Sequence, residues 1–536
     1  MQEVAAVEAL NPKPPIEMSV HASTAMLAEV SVVTSSALLT ILSFPDFDLW
    51  PLAWIGLVPL LVVIAQSSKA SRAFLLGWLW GIVFFYGTCW WLTYPMIHYA
   101  HISAWLAYPL LVLPVALVAI FPGFFSVALI RLITRFGFAA LFIAPLTWVS
   151  LEWMRYTVTG QVWNALGYSQ AFHPVLIQSA RWGGVYVVSF LIVSTNGVLA
   201  YALIRRGLRA IVASFGTLTL TAVIIAGAYK VPHGGLAGFS IESVVAVQPN
   251  VPMEGVDDPV IMKSLLNQHI ELAVQGLSDA PGGLGAGRLV VWPESPMNFS
   301  YSRDLRLQSD LANFAKTNST SLLLNSLEPS PDGGGYNSAI LINQQGEKIA
   351  QYDKIRLMPF GEYVPLPRWL PGASSVRAIV GEFTPGNSCT LMPLGDLRAG
   401  VFICIEAAHP SIARAFTDEG ADLLINISND GYLGPTAVMR QHLANAVFRA
   451  VENDRRLIRV TNSGISAFID SNGRVKNSTD GFQVTVRTWD ASGYAHGKSF
   501  YTRHGDVFAY GCALIALGFV SAIFMTKRST IKRRGQ

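Results

Sequence analysis

The sequence predicts a polytopic α-helical membrane domain of about eight helices joined to an extramembrane α/β domain, and three observations lead there. Only 13% of the 536 residues are charged and 52% are hydrophobic, against roughly 25% charged in an average soluble domain. The scarcity is uneven: charges are sparse over residues 24–228, while 232–503 has the composition of an ordinary globular protein. A last apolar run then follows the globular part. Three units are expected: a membrane domain over 1–231 with about seven helices, a globular domain over 232–503, and a final helix with a basic tail over 504–536.

A bilayer-spanning helix needs about 20 mostly apolar residues. Windows that reach or approach this lie at 24–42, 52–65, 73–92, 104–130, 136–151, 185–204 and 210–228, with an eighth at 507–525. The first is interrupted by Glu29 and the second is short. Lysine and arginine gather in cytoplasmic loops. With the N-terminus inside, the inner loops carry Lys69 and Arg72, then Arg131 and Arg135, then Arg205, Arg206 and Arg209, and finally the tail KRSTIKRRGQ; the outer loops before the globular part carry only Arg155 and Arg181. This pattern needs all eight helices and puts the globular domain on the outer face. The first residues lack a basic stretch running directly into an apolar one, so the first helix reads as an uncleaved anchor.

The net charge of +4 does not argue for nucleic-acid binding, because much of the excess sits in the tail beside a membrane segment, where it sets topology or meets anionic lipid. Of the four cysteines, Cys89 and Cys512 lie in apolar windows and only Cys389 and Cys404 in the globular part, which is too few for a disulfide scaffold. No cysteine and histidine cluster has metal-ligand spacing. Neither metal nor cofactor is expected.

In the globular part, SVVAVQPN (243–250), RLVVWPES (288–295), SLLLNSLEP (321–329), NSAILIN (337–343), AGVFICIE (399–406), DLLINISND (422–430) and RLIRVTNSG (456–464) are apolar runs bounded by turn residues and read as buried strands. DPVIMKSLLNQHIELAVQGL, DLRLQSDLANFAKTNS and VMRQHLANAVFRAVENDRR between them have helical periodicity, so helices cover sheets. Strand ends are where such a domain builds a site.

Three strand-like runs end on chemically useful residues: VVWPES on Glu294, QYDKIRLMPFGEYVP on Lys354 with Glu362 beyond it, and VFICIEAAHP on Cys404 and Glu406. A thiol is a weak nucleophile until deprotonated, and Glu294 offers the base. An oxyanion forming on an attacked carbonyl needs fixed donors, which Lys354 and the backbone N–H of Ile405 offer. Singly, each residue also has an ordinary reading: a solvated loop glutamate, a surface lysine, a small core cysteine, or a Cys404–Cys389 disulfide in an oxidising compartment.

The order WPE, DK, then C-x-E resembles the Glu-Lys-Cys triad of the nitrilase, or carbon–nitrogen hydrolase, superfamily. Within it, DKIRLMPFGEYVP, C-I-E after a strand, SNDGYLG (428–434), FRAVENDRRLIRVTNSGIS and WNALGYSQ (163–170), on about seven helices followed by a globular domain and one more helix, are similar to the apolipoprotein N-acyltransferase branch. Two positions depart from it, since family members often carry Tyr after the nucleophile and Trp in the SND segment, where this chain has Ile405 and Tyr432; the aromatic often found after the first strand is also absent, with Asp257 and Asp258 nearby.

The resemblance implies an α-β-β-α sandwich, with Glu294 as base, Lys354 as oxyanion stabiliser, Cys404 as nucleophile, and Glu362 and Glu406 as supporting carboxylates. It implies transfer of an acyl chain from a membrane phospholipid, through a cysteine thioester, to the N-terminal amine of a diacylglyceryl apolipoprotein, on the outer face of a bacterial inner membrane. The alternatives are a membrane-anchored amidase that passes the acyl group to water, and a transporter with a regulatory domain, which would be expected to carry ionisable residues at mid-membrane.

Overall fold

The computed structural model describes residues 16–160, 163–230, 235–239, 243–254, 256, 258–279, 287–365, 369, 383–491 and 493–533. The expected boundary at 231/232, Asp257, residues 1–15 and the last three residues of the basic tail lie outside these.

The apolar windows form helices α1 (Ile16–Leu42), α2 (Val58–Gln66), α3 (Ala70–Cys89), α4 (Ala104–Val118), α5 (Ile120–Phe136), α6 (Ala144–Thr159), α7 (Val185–Arg205) and α8 (Leu208–Lys230). Glu29 is accounted for by an ion pair of 2.8 Å to Arg72, which fastens α1 to α3. The window at 104–130 differs from a single span. Two helices, α4 and α5, meet at Ala119, and with the turn that follows they form a 39-residue helical run, Ala104–Phe142. At 1.5 Å per residue that is about 58 Å, far beyond a hydrocarbon core of ~30 Å. Pro109 and Pro114 lie inside α4, where each removes an intrahelical hydrogen bond.

Two six-stranded sheets follow. The first has the order β13 (Thr485–Trp489), β2 (Ser243–Gln248), β3 (Arg288–Val291), β4 (Ser321–Pro329), β5 (Gly335–Ile342) and β6 (Lys348–Asp353); the second has β12 (Val475–Lys476), β11 (Ala467–Ile469), β10 (Arg456–Thr461), β9 (Leu423–Ser428), β8 (Leu397–Ile403) and β7 (Leu391–Leu394). In each, three central strands are parallel (β2, β3 and β4; β8, β9 and β10) and their outer neighbours antiparallel. Strands buried on both faces read as continuous apolar runs, which is why the seven runs coincide with β2–β5 and β8–β10. The short, part-exposed edge strands and the two-stranded ribbon of β1 (Gly235–Phe239) and β14 (Gly493–His496) carry no such run.

Alternation along β2 shows the layering. Val245 and Val247 pack with Ala273 and Leu277 of α9 (Pro259–Ser278) and with Leu311 and Phe314 of α10 (Leu305–Asn318). Val244 and Ala246 belong instead to the core that holds Val401, Ile403 and Leu424 of the second sheet. The far side of that sheet is covered by α11 (Pro410–Asp418) and α12 (Val438–Asn453). This is an α-β-β-α sandwich. Asp258 and Asp304 cap α9 and α10 by accepting backbone N–H bonds, worth about 1 kcal/mol each.

Candidate active site

The site gathers where strands of both sheets end. Glu294 follows β3, Lys354 follows β6, Cys404 follows β8, and Asn429 and Asp430 follow β9. Lys354 Nζ donates to Glu294 Oε1 at 3.2 Å and to Glu362 Oε1 at 2.8 Å. An ammonium has three N–H donors, so one remains for a third acceptor. Asn337 Nδ2 also bonds both carboxylates, at 2.9 and 2.6 Å, and its own Oδ1 accepts from Asn325 at 2.7 Å. Glu294 Oε2 accepts the Asn429 backbone N–H at 3.1 Å. Glu294 is thereby fixed by both sheets.

Cys404 adopts φ +52°, a left-handed conformation that costs a non-glycine residue about 1–2 kcal/mol. The Glu406 carboxylate supports it from beneath. It accepts from Ile403 N at 2.8 Å, Ile355 N at 2.8 Å, Arg356 N at 3.0 Å and Tyr352 Oη at 2.7 Å. One buried carboxylate thus ties the residue before Cys404 to the two residues after Lys354, so Glu406 holds the two loops that carry Cys404 and Lys354 and is not among the residues that line the cavity described below. From the other side, His442 Nε2 lies 2.9 Å from the Cys404 carbonyl oxygen and its Nδ1 lies 2.9 Å from Asp430 Oδ1. Asp430 is in turn 2.8 Å from the buried Arg459.

The electrostatics follow from burial and charge count. Burial alone would lower the Lys354 ammonium, but Glu294 and Glu362, with smaller help from Cys404, hold it above the ordinary lysine range. Burial, then Glu294, pushes the Cys404 thiol up, against the opposing pull of Lys354. One cation between two carboxylates already leaves the cluster one charge negative, so a resting thiolate would add a second buried charge. A proton passed from Cys404 to Glu294 would form the thiolate without changing that total. Burial would raise Asp430 too, but Arg459 and His442 hold it ionised. Among the described residues all four cysteines are free, which removes the Cys404–Cys389 disulfide; burial, then Glu406 and Glu419, raises the Cys389 thiol to about 11.

A cavity of about 1070 Å³ joins this cluster to the membrane helices, at the upper end of ordinary ligand pockets. Glu294, Lys354, Glu362 and Cys404 line it above; Phe85, Leu111, Pro114, Val115 and Val118 of α3 and α4 line it below. The junction is sealed by Gln441, whose Oε1 accepts the indole N–H of Trp163 at 2.8 Å and of Trp91 at 3.2 Å, while its Nε2 donates to the carbonyls of Pro45 and Thr88. Trp163 opens the WNALGYSQ segment, which lies buried between the two domains. At the two departures from the family pattern, Ile405 packs with Trp91 and Trp163, and Tyr432 stacks on Tyr99 at 5.1 Å between ring centroids. Asn325, Asn337, Asp430, Gln441 and His442 were not singled out by the sequence. Their sequence signal is a polar residue within or directly after an apolar strand or helix.

Residues 36–198 match the model of the apolipoprotein N-acyltransferase N-terminal domain, and 267–492 match that of carbon-nitrogen hydrolases. A protein of Geobacter metallireducens called apolipoprotein N-acyltransferase is 34% identical over 92% of this chain and 94% of its own length. One of the same name from Allorhizobium ampelinum is 33% identical over 76% and 78%. A solved amidase from Nesterenkonia sp. has a loose likeness: 16% identity and a TM-score of 0.36, over 52% of this chain and 97% of the amidase.

Proposed function

Since the chain belongs to the apolipoprotein N-acyltransferase family, we propose that it performs this family's lipoprotein N-acylation through Cys404, with Glu294 as base and Lys354 as oxyanion stabiliser. The observation that carries the reading is one continuous cavity that runs from the largely buried Glu-Lys-Cys cluster down to apolar helix walls. An acyl chain costs about 0.8 kcal/mol per CH₂ to expose to water, so lipid-borne substrates need such a wall beneath the nucleophile.

In the first step Glu294 takes the thiol proton and the Cys404 sulfur attacks an ester carbonyl of a membrane phospholipid. The third N–H of Lys354 and the backbone N–H of Ile405 serve the oxyanion. The ester C–O bond breaks, Glu294 returns the proton to the glycerol oxygen, and a lysophospholipid leaves a thioester behind. In the second step the α-amine of a diacylglyceryl-cysteine attacks the thioester, Glu294 takes the amine's proton, and as the C–S bond breaks Glu294 passes that proton to the leaving sulfur, giving an amide and the free Cys404 thiol. Glu362 and Glu406 hold the lysine and the two loops in place. An amidase of the same cluster would pass the acyl group to water. The enzyme given phospholipid and a diacylglyceryl-cysteine peptide is expected to yield N-acyl peptide and lysophospholipid in equal amounts, measured by mass spectrometry; free fatty acid with unmodified peptide would contradict the transfer.

The domain division at 1–231, 232–503 and 504–536 and the outer-face location of the catalytic domain belong to the same proposal. In support, the basic residues cluster at helix ends remote from that domain. Cys89, at the end of α3, lines the cavity, and Lys69 precedes its other end; Val185 N, at the start of α7, bonds Glu452 of α12 at 3.0 Å, and Arg205 closes its other end. Protease added to intact spheroplasts is expected to cut within 232–503 and to spare a tag at the C-terminus. Protection of the globular domain would reverse the topology.

A further inference from the structure

The membrane side of the cavity carries one cation that the chemistry above does not use. Arg155, on α6, is 4% exposed and lines both the main cavity and a smaller pocket beside it. Its Nη1 donates to the Trp163 carbonyl at 2.8 Å, and its guanidinium carbon lies 5.2 Å from the Phe85 ring centroid. Among the described residues it forms no ion pair. The carboxylate one turn earlier on its helix, Glu152, accepts at Oε1 from the Trp148 indole at 2.9 Å and the Leu166 backbone N–H at 2.8 Å, and its buried Oε2 makes no hydrogen bond among the described residues, so it is a nearby counter-charge that does not bond the guanidinium.

A buried charge is ordinarily paired, because leaving it alone in a low-dielectric setting is expensive. The other basic side chains on the cavity wall are spoken for, Lys354 by two carboxylates and His442 by Asp430. The carboxylates on that wall, Glu254, Glu294, Glu362 and Asp430, all come from the catalytic domain. An anion entering the cavity is therefore repelled by its upper part and drawn to its membrane side. A guanidinium offers a planar fork of donors that matches phosphate oxygens. The position fits a glycerophospholipid: the Trp163 ring, whose carbonyl Arg155 holds, packs 5.6 Å from the His442 ring, which contacts the Cys404 carbonyl. The guanidinium and Cys404 line one continuous cavity, so a lipid whose phosphate rests on the membrane side has its ester in the same space as the sulfur.

Resting on the reading that a phospholipid is the acyl donor, we propose that Arg155 binds the donor's phosphodiester and so presents its ester to Cys404. The test uses full-length enzyme in detergent micelles and two donors with the same chains, dioleoylphosphatidylethanolamine and dioleoylglycerol, the second lacking phosphate. Initial rates of Cys404 acylation are read by intact-protein mass. Arg155→Met is expected to lower the preference for the phospholipid over dioleoylglycerol about ten- to a hundred-fold, as loss of a charge-assisted hydrogen bond does, mostly through KM. Arg155→Lys, which keeps the charge without the fork, should fall between and serves if the Met variant does not fold. An equal loss with both donors, or an unchanged preference in both variants, would overturn the assignment by making Arg155 a structural ligand of Trp163. Stimulation of wild-type acylation from dioleoylglycerol by inorganic phosphate would overturn it in favour of a free anion. Wild-type enzyme that gains no acyl group from either donor would contradict the parent reading instead.

Discussion

Lys354→Ala is expected to lower acyl transfer by roughly 10²–10³-fold, the usual effect of removing one oxyanion donor. The lysine is 1% exposed and bonded to two carboxylates, so its charge lies in a medium where it acts far more strongly than in water. In the proposed mechanism both tetrahedral intermediates carry their negative charge near it, so both half-reactions should slow. The substitution also leaves Glu294 and Glu362 facing each other without a cation, and thermal unfolding of the detergent-solubilised variant separates lost folding from lost chemistry. Lys354→Arg should not rescue, since a larger planar group in a filled site cannot keep both bonds and aim a third donor. Near-normal turnover in a folded Ala variant would exclude the oxyanion role.

Glu294→Gln should slow Cys404 acylation by roughly 10²–10⁴-fold while retaining the side chain's shape and leaving the thiol alkylatable by a small reagent. Burial and, after it, the Glu294 charge push the Cys404 thiol up. Removing that charge should therefore lower the thiol's pKa although it removes the base. The sign is testable: the residual rate of the Gln variant should climb with pH through the alkaline range, as thiolate forms without assistance, and should do so at lower pH than alkylation of the wild-type thiol. A variant as active as wild type at neutral pH would show that another group takes the proton.

The sequence revealed the parts of the site that end buried strands. Glu294 and Cys404 follow β3 and β8, whose apolar runs are bounded by proline and by an acidic residue, and Lys354 follows the edge strand β6 in a DK pair. It did not reveal what depends on tertiary approach. Asn337 reads as the start of an apolar run until β3, β5 and β6 bring Glu294, Glu362 and Lys354 around it. Gln441 and His442 read as the polar face of an amphipathic helix, yet nearly every residue of α12 is buried, because the sandwich covers one side and the membrane domain the other. Arg155 reads as an outer-loop charge that helps to set topology, whereas helix α6 carries it into the cavity wall. The windows at 104–130 and 136–151 also share one cause of difference: hydropathy registers apolar length, while the breaks at Ala119 and at the turn Gly137–Phe142 are set by backbone geometry.

The central claim, a thioester on Cys404, is tested most directly by giving purified full-length enzyme phospholipid alone and measuring the mass of the peptide that contains Cys404. The account predicts a gain of one acyl chain on that peptide, removed by hydroxylamine near neutral pH as a thioester is, and absent in Cys404→Ala. An acyl group on Cys389, or N-acylated peptide still formed by Cys404→Ala, would contradict it.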